Sequence, residues 1–220
     1  MPELRVDALT GLRVVAGGSG DRPVEPLFEV APDRTVVETV DGGPEAWRER
    51  MRAHPDAACL HVAATGDDRA ELHVLDFVPA AVARERERFS AHAVRTMGSN
   101  LLGDLVQEEV RRRERLIAVD EEAVAFAPFA SRVPYQVLIA PRTPRARFEE
   151  DGPLGAALLA DVLRRLDRPV ELWVRTAPRG ADHFCWRIDV LPVGGTGLLE
   201  RGTGLAVNPV SPEDAAAALR

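Results

Sequence analysis

Residue types capable of chemistry concentrate in one late stretch of the 220-residue chain, residues 182–192, with the sequence DHFCWRIDVLP. Successive side chains of a β-strand point to opposite faces, and residues 170–176 show the same alternation of polar and apolar positions. Pro178 and Gly180 predict a turn between the two stretches, and hence a hairpin with an apolar underside. Its polar face would carry Glu171, Trp173, Arg175, His183, Cys185, Arg187 and Asp189.

The composition of this predicted polar face suits recognition of a phosphorylated ligand. Its two guanidiniums can clamp phosphate oxygens in bidentate fashion, and the indole of Trp173 offers a flat surface for a base or a sugar ring. His183 and Cys185 are the side chains there that could act as nucleophiles. The alternative is an ordinary solvated face of an antiparallel sheet, although such faces usually show Lys, Glu, Thr and Ser. Trp186 falls on the opposite face, where a role in the core is favoured over stacking on a ligand.

Charge and composition argue against several classes of protein. The formal net charge of −7 lacks the positive excess of proteins that bind nucleic acid or membrane surfaces, and no apolar run reaches the ~18 residues that span a bilayer. All 28 basic residues are arginine, which excludes Schiff-base chemistry on lysine. Cys59 and Cys185 form no C-x-x-C pair, so neither a tetrathiolate zinc site nor a disulfide framework is predicted. We therefore expect a cytoplasmic protein with no nucleic-acid or membrane partner, no metal and no cofactor.

The elements that would position the polar face are predicted from hydrophobic periodicity and turn residues. Strands are predicted at residues 12–16, at 28–40 as a hairpin, at 58–64 and 70–78 as a second hairpin, and at 116–119, 123–126, 135–140 and 205–208. Helices are predicted at residues 44–54, 79–92, 98–114, 153–166 and 212–220. In the second hairpin His61 and His73 lie on like-facing polar sides and could share a metal ion. With no third ligand identifiable, surface or half-buried histidines are favoured.

Two further features concern the first half of the chain and its relation to the second. The glycine-rich residues 17–23 could cradle a phosphate beside Arg22, but no phosphate-loop motif follows and a plain connection is favoured. Residues 1–78 are predicted to form hairpin, helix and hairpin in that order. Residues 116–192 approximate the same order, which indicates a repeat of topology without a repeat of sequence.

Segments along most of the chain carry a resemblance to a known family. They are ELRVDALTG at residues 3–11, Arg22-Pro23, residues 101–142 with VAFAPFAS and LIAPR, Thr176-Ala177-Pro178, residues 186–192, residues 202–204 and Asn208-Pro209. In this order they resemble the galactose-1-phosphate uridylyltransferases and their relatives in the histidine-triad superfamily. The resemblance implies an α+β fold of two histidine-triad-like halves with antiparallel sheet and packed helices, residues 1–78 (eroded) and residues 79–220. It also implies a nucleotide sugar or sugar phosphate as ligand, and a homodimer as a candidate assembly.

The catalytic segment is where the chain departs from this resemblance. Alignment on the strand that follows places the first histidine of the family's H-P-H-x-Q motif on Asp67, its nucleophilic histidine on Arg69 and its glutamine on Glu71. A guanidinium stays protonated and offers no lone pair, so Arg69 cannot form the covalent imidazole intermediate of the family. The family's zinc-binding cysteine pairs are also absent, with Asn100 and Gly103 where one C-x-x-C pattern would fall.

These departures leave three hypotheses for the function. The first is a nucleotidyltransferase of galactose metabolism whose activity is impaired and depends on His183 or Cys185. The second is a nucleotide or sugar-phosphate receptor without turnover, and the third is a dimeric scaffold. In either of the first two, the binding residues would be Arg22, Arg69, Glu71, Trp173, Arg175, Arg187 and Asp189. Arg187 should either be exposed or be held by a carboxylate such as Asp189 or Glu171, because an unpaired buried charge is very costly.

Overall fold

The computed structural model describes residues 3–6, 13–16, 29–30, 35–66, 69–194, 198–203 and 205–220. Its strands are β1 (Glu3–Val6), β2 (Arg13–Ala16), β3 (Glu29–Val30), β4 (Thr35–Asp41), β5 (Cys59–Ala64), β6 (Arg69–Leu75), β7 (Leu116–Val119), β8 (Ala123–Phe126), β9 (Val137–Pro141), β10 (Val170–Arg175) and β11 (Arg187–Pro192). Its helices are α1 (Pro44–Arg52), α2 (Ala80–Arg95), α3 (Leu101–Arg112), α4 (Ala156–Leu166), α5 (Leu198–Thr203) and α6 (Pro212–Leu219). None of these helices is long and apolar enough to cross a membrane.

An antiparallel sheet of eight strands forms the centre of the described fold, in the order β4-β6-β5-β10-β11-β9-β8-β7. Every neighbouring pair of strands in it is antiparallel. A second, three-stranded sheet has the order β2-β1-β3. The predicted α+β class with antiparallel sheet and packed helices is thereby confirmed. Strand β5 pairs with β10, so residues from both predicted halves share the large sheet, and the division after residue 78 stays a prediction.

One face of the large sheet is apolar and forms the main core of the described residues. Burial alternates along β10, where Val170, Leu172 and Val174 are buried and the side chains between them are not, because successive side chains point to opposite faces. Helices α1, α4 and α6 cover this face with Trp47, Met51, Leu158, Leu159, Val162, Leu166, Ala216 and Leu219. Burying a large apolar side chain contributes roughly 1.5–3 kcal/mol, so this core determines which strand residues point away from it.

The opposite face is only partly covered by described residues. Helices α2 and α3 form a second apolar cluster with β8, β9 and the loop before β11, in which the rings of Phe89 and Phe184 lie 4.7 Å apart between centroids. Closer to the start of α2, Val82 packs with Cys59 and Leu75. Beside these contacts, polar side chains of β6, β5, β10 and β11 occupy the same face.

Most of the predicted elements are present, but one predicted hairpin and one predicted strand are wrong. All five predicted helices occur within a few residues of the expected bounds, and α5 was not predicted. Residues 28–40 do not form a hairpin, because β3 pairs with β1 and β4 pairs with β6. Residues 205–208 are not a strand. Instead, the Asn208 side chain donates to the carbonyl oxygens of Ser131 and Val133, each at 3.2 Å.

The strand that carries the polar stretch begins later than predicted. Residues 182–186 belong to the loop after β10, and β11 begins at Arg187. The backbone N–H of Trp186 donates to the carbonyl oxygen of Arg145 at 2.9 Å, and is therefore not available to a longer hairpin. The alternation of faces consequently does not extend to residues 183–185.

Candidate functional site

The register of the large sheet aligns a row of basic side chains across four strands. Each member of the row pairs with the next in the order His73, His61, Arg175 and Arg187. Directly opposed residues of antiparallel strands share a face, so these side chains lie together on the partly covered face. The next row on that face consists of Glu71, Ala63, Trp173 and Asp189. We call these two rows the polar band.

The two arginines of the polar band are paired with carboxylates. Arg187 donates to Glu85 of α2 and, from Nε, to Asp189 Oδ2 at 2.9 Å. Nε of Arg175 lies 3.5 Å from Glu85 Oε2. Burial alone would lower the pKa of Arg187, but Asp189 and Glu85 together raise it above its ordinary value. The expected pairing of Arg187 with Asp189 is confirmed, and the charges of the two guanidiniums and two carboxylates cancel.

Asp189 also orients the indole of Trp173. Its Oδ2 atom accepts hydrogen bonds from Trp173 Nε1–H at 3.0 Å and from Arg187 Nε–H at 2.9 Å. Asp189 is only 5% exposed, so both bonds lie largely out of water, where hydrogen bonds to an ionised group are strong. The indole, itself half-buried, is therefore held in one orientation on the sheet.

An open groove of about 340 Å³ lies where β10 begins and β5 turns into β6. Its lining residues are Ala63, Ala64, Thr65, Arg69, Ala70, Glu71, Glu171, Leu172 and Trp173. Three of the predicted binding residues, Arg69, Glu71 and Trp173, thus meet in a space at the lower end of the size of ligand pockets. Gly66 has φ +81°, and a Cβ at this position would lie 2.8 Å from Val170 Cγ2, so the turn passes close to β10. The groove combines a guanidinium, carboxylates and an indole.

The two residues predicted as catalytic lie at the other end of the hairpin. The four residue steps from Glu171 to Arg175 span about 13 Å of strand, and the loop with His183 follows Arg175. The side chain of His183 is exposed, and its carbonyl oxygen accepts a hydrogen bond from Asn100 Nδ2 at 2.8 Å. The structure therefore does not bring His183 to the groove that Arg69 lines.

Cys185 is part of the second apolar cluster and is 0% exposed. Burial raises the pKa of its thiol to about 11, so the thiol is protonated at neutral pH. A buried, protonated thiol is a weak nucleophile, and the expected chemistry at Cys185 has no support in this geometry. Arg22 lies outside the described residues.

Trp186 has the core role that was favoured for it. It is 0% exposed, its ring meets the Phe148 ring edge-on at 5.2 Å between centroids, and its Nε1–H donates to Asp151. Sequence reasoning missed Asp151 and also Glu85, the partner shared by both arginines. A signal for Glu85 was present, since it lies on the same helix stripe as the apolar residues Val82 and Phe89.

His61 and His73 form a cross-strand pair with ring centroids 6.1 Å apart. Burial lowers the pKa of His61 to about 4, helped by the charges of Arg175 and His73. The ring is therefore neutral near pH 7, and its Nδ1 atom has no hydrogen-bond partner. Within the described part of the chain, no group of three or more His, Cys, Asp or Glu side chains could hold a metal ion. Both histidines are half-buried, as was favoured.

The residues at the position of the family's cysteine pair do not fit zinc. Asn100 Oδ1 accepts the backbone N–H of Gly103 at 3.0 Å and caps α3, while Nδ2 donates to the His183 carbonyl oxygen. A Cβ on Gly103 would lie 2.5 Å from Pro144 Cγ. Neither position offers a thiolate, and the space that a second cysteine would need is filled by the proline ring.

Comparison with known proteins places this geometry in context. No protein-family model matches the chain. Its sequence is 27% identical to ADP-glucose phosphorylase of Arabidopsis thaliana over 127 residues, which are 51% of this chain and 36% of that protein. It is 36% identical over 104 residues, 44% of this chain, to a galactose-1-phosphate uridylyltransferase of Cryptococcus neoformans, of which 27% is covered. The chain thus spans only about a third of the length of these relatives.

Solved structures resemble the chain over a larger part of its length. A structure of a uridylyltransferase has a TM-score of 0.84 at 18% identity, covering 99% of this chain and 97% of that one. An ADP-glucose phosphorylase from Arabidopsis thaliana with bound ADP-glucose has a TM-score of 0.68 at 22% identity, covering 80% and 63% respectively. The fold is therefore that of the uridylyltransferases. By sequence about half of the chain is similar to ADP-glucose phosphorylase and to a galactose-1-phosphate uridylyltransferase, and the predicted resemblance to the uridylyltransferases is thereby confirmed.

Proposed function

We propose that the protein binds a nucleotide sugar or a sugar phosphate in the groove beside Trp173, without turnover through a covalent histidine intermediate. The observation that carries the proposal is the meeting of Arg69, Glu71 and Trp173 in that groove. Arg69 and Glu71 stand where the resemblance puts the family's nucleophile and glutamine. The similarity in fold to an ADP-glucose phosphorylase with bound ADP-glucose supports this class of ligand.

Each groove residue has a role that follows from its chemistry. The guanidinium of Arg69 pairs with a phosphate, and the indole of Trp173 stacks on the base or the sugar ring. Glu71 and Glu171 accept hydrogen bonds from sugar hydroxyls. Arg175, Arg187 and Asp189 act beside the groove, because none of them lines it and both arginines are held by carboxylates on the same face of the sheet.

Nucleotidyl transfer is the alternative that the homologues favour. Transfer through a covalent intermediate requires a nucleophilic side chain at the groove, and Arg69 cannot supply one. His183 lies at the other end of the hairpin, and the thiol of Cys185 is buried and protonated. Incubation with UDP-glucose labelled in its uridylyl group, together with galactose 1-phosphate, separates the two readings. We expect no covalent adduct and no exchange, and a labelled adduct would establish transferase activity instead.

Calorimetry with UDP-glucose, ADP-glucose, UMP and glucose 1-phosphate tests the binding itself. We expect at least one of them to bind, and Trp173→Ala to weaken that binding by about 1–3 kcal/mol, the range of one base stacked on an aromatic ring. Phe129→Ala is the matched control, since that ring is 76% exposed and does not line the groove. Absence of heat with all four compounds at millimolar concentration contradicts the proposal.

Location and assembly are part of the same proposal. Both cysteines are free and buried, as suits a reducing, cytoplasmic compartment. We also propose a homodimer and a place in galactose metabolism, on the resemblance alone. Analytical ultracentrifugation checks the assembly, and a monomer at all concentrations would count against it.

A further inference from the structure

Glu85 occupies the buried stripe of α2 between two apolar anchors. Val82 and Phe89 lie three residues before it and four residues after it, so the three side chains share one face of the helix. Val82 is 2% exposed and Phe89 is 4% exposed, and that face packs on the sheet. A carboxylate on such a face is stable only when it is paired with a cation. Glu85 is paired with two, Arg175 and Arg187.

Two side chains link Glu85 to the indole of Trp173. Glu85 accepts a hydrogen bond from Arg187, whose Nε donates to Asp189 Oδ2 at 2.9 Å. The same Oδ2 atom accepts Trp173 Nε1–H at 3.0 Å. The side chains of Arg187 and Asp189 are 16% and 7% exposed, so water competes little for these bonds. Each link restricts the rotamer of the next side chain.

Glu85 is also needed to hold two like charges side by side. Arg175 and Arg187 are directly opposed across β10 and β11, a pairing that is unfavourable for two cations. The carboxylate of Glu85 lies against both guanidiniums. Without its charge, Arg187 would move away from Arg175 or draw Asp189 into a tighter pair, and either movement disturbs the hydrogen bond of Trp173.

We propose that Glu85 is a positioning residue for the groove, fixing the indole of Trp173 through Arg187 and Asp189. The inference rests on the proposed function only for the identity of the ligand that stacks on Trp173. The link from Glu85 to the indole is a property of the protein alone and can be measured without any ligand.

Hydrogen exchange of the tryptophan indole N–H groups, followed by NMR, measures that link. The protein has three tryptophans, and each donates a different hydrogen bond: Trp47 to the Gly42 carbonyl oxygen, Trp173 to Asp189 and Trp186 to Asp151. Trp→Phe substitutions assign the signals. Trp47 and Trp186 serve as internal references, because general destabilisation accelerates all three exchange rates together.

We expect Glu85→Gln to accelerate exchange at the Trp173 indole about tenfold, the ratio set by loss of one hydrogen bond to an ionised group. Exchange at Trp47 and Trp186 should change by less than about twofold, and Kd for UDP-glucose should rise by about the same factor as the Trp173 rate. Glu87→Gln, an exposed position on the same helix, should leave all three rates unaltered. If Glu85→Gln does not fold, Glu85→Asp replaces it, since it keeps the charge and withdraws the carboxylate by one methylene.

Two results overturn the inference: unchanged exchange at Trp173 in the variant, or equal acceleration of all three indoles. Selective acceleration of Trp173 in a protein that binds none of the four ligands leaves the link intact and removes the proposed function. Binding in the wild type with no selective acceleration in the variant keeps the function and removes the role of Glu85.

Discussion

The two ends of the β10–β11 hairpin differ in how their side chains are used. The loop end holds the residue types that are richest in chemistry, yet Cys185 and Trp186 are both 0% exposed there. The other end holds Glu171, which is exposed, and Trp173, which is half-buried beside an open groove. Residue type alone therefore does not locate the site. The end that can bind a ligand is the one whose side chains border a groove and are not already packed in the core.

At the loop end, the polar groups of Trp186 are engaged in hydrogen bonds to the segment between β9 and α4. The backbone N–H of Trp186 donates to Arg145, and the indole donates to Asp151. Arg48 of α1 holds the same segment through hydrogen bonds to the carbonyl oxygens of Phe148 and Leu154, at 3.1 and 2.6 Å. The groove end is instead lined by residues of β5, β6 and the turn between them, which leave an open space beside Trp173.

The largest expected effect comes from removing the buried ring at the loop end. Trp186→Ala should lower the free energy of unfolding by about 3–5 kcal/mol, because it leaves a large cavity and removes the indole hydrogen bond of the buried Asp151, which keeps only its ion pair with Arg145. Urea unfolding measures the change, and ligand affinity per folded molecule should stay the same. Trp173→Ala, at the groove end, should cost much less. If Trp173→Ala were the more destabilising of the two, the contrast between the ends would be wrong.

The second expected effect concerns Arg187, which begins β11 at the loop end and contacts Asp189 further along the strand. Arg187→Ala should cost roughly 3 kcal/mol of stability, since it leaves Glu85 and Asp189 partly buried without their shared cation. Arg164→Ala is the control, because its pair with Asp161 is a surface pair in which the arginine is 74% exposed, and it should cost under about 1 kcal/mol. If Arg187 instead clamps a phosphate, Arg187→Ala should weaken ligand binding and leave the free energy of unfolding unaltered.

Local periodicity predicted much of the fold, and long-range contacts account for what it missed. The helices and the β5–β6 and β10–β11 hairpins depend on neighbouring residues, so alternation and turn residues were sufficient to predict them. The start of β11 could not be predicted in this way, because it depends on a hydrogen bond from Trp186 to Arg145, far away in the chain. The position of β4 beside β6 is likewise a long-range pairing.

In the candidate site, too, local patterns predicted some features and long-range contacts account for the rest. Alternation placed Trp173, Arg175 and Asp189 on one face, and the resemblance pointed to Arg69 and Glu71. The convergence of Trp173 with Arg69 and Glu71 at one groove depends on the pairing of β5 with β10, which no local pattern encodes. Glu85 was missed because α2 is rich in charged residues, although its position on the stripe of Val82 and Phe89 distinguishes it from the carboxylates that face away from the sheet.

A third expected effect is a loss of stability in acid that originates at His61. Its pKa is about 4 in the folded protein against an ordinary value of 6.5, so below pH 6.5 the unfolded chain takes up a proton that the folded protein does not. Stability from this group is complete above pH 6.5 and is lost as pH falls toward 4. At pH 5 the loss should be roughly 1–2 kcal/mol, less than full burial would give, because the side chain is only half-buried.

Urea unfolding at pH 7 and pH 5 measures this acid sensitivity. His61→Gln should reduce the difference in the free energy of unfolding between pH 7 and pH 5 by roughly 1–2 kcal/mol. His183→Gln, at an exposed position on the loop end, should leave the difference as it is in the wild type. An equal difference in the wild type and in His61→Gln would show that His61 is solvated in the folded protein.

The last expected effect, similar in size to that of His61, tests the contact between α3 and the loop end, where the family's zinc-binding pair would fall. Asn100→Ala should cost about 1–2 kcal/mol, because it removes both the cap of α3 and the hydrogen bond to the His183 carbonyl oxygen. Ser211→Ala is the matched control, since Ser211 caps α6 with a hydrogen bond from Asp214 N–H at 3.1 Å and makes no contact with the hairpin loop. It should cost less than Asn100→Ala, and equal costs would mean that the bond to His183 contributes nothing.

A chelator should leave the Tm of the wild type unchanged, because Pro144 fills the space beside Gly103 and Asn100 already uses both of its side-chain polar atoms. A chelator-induced fall in Tm that disappears in Asn100→Ala would instead show that this contact depends on a metal.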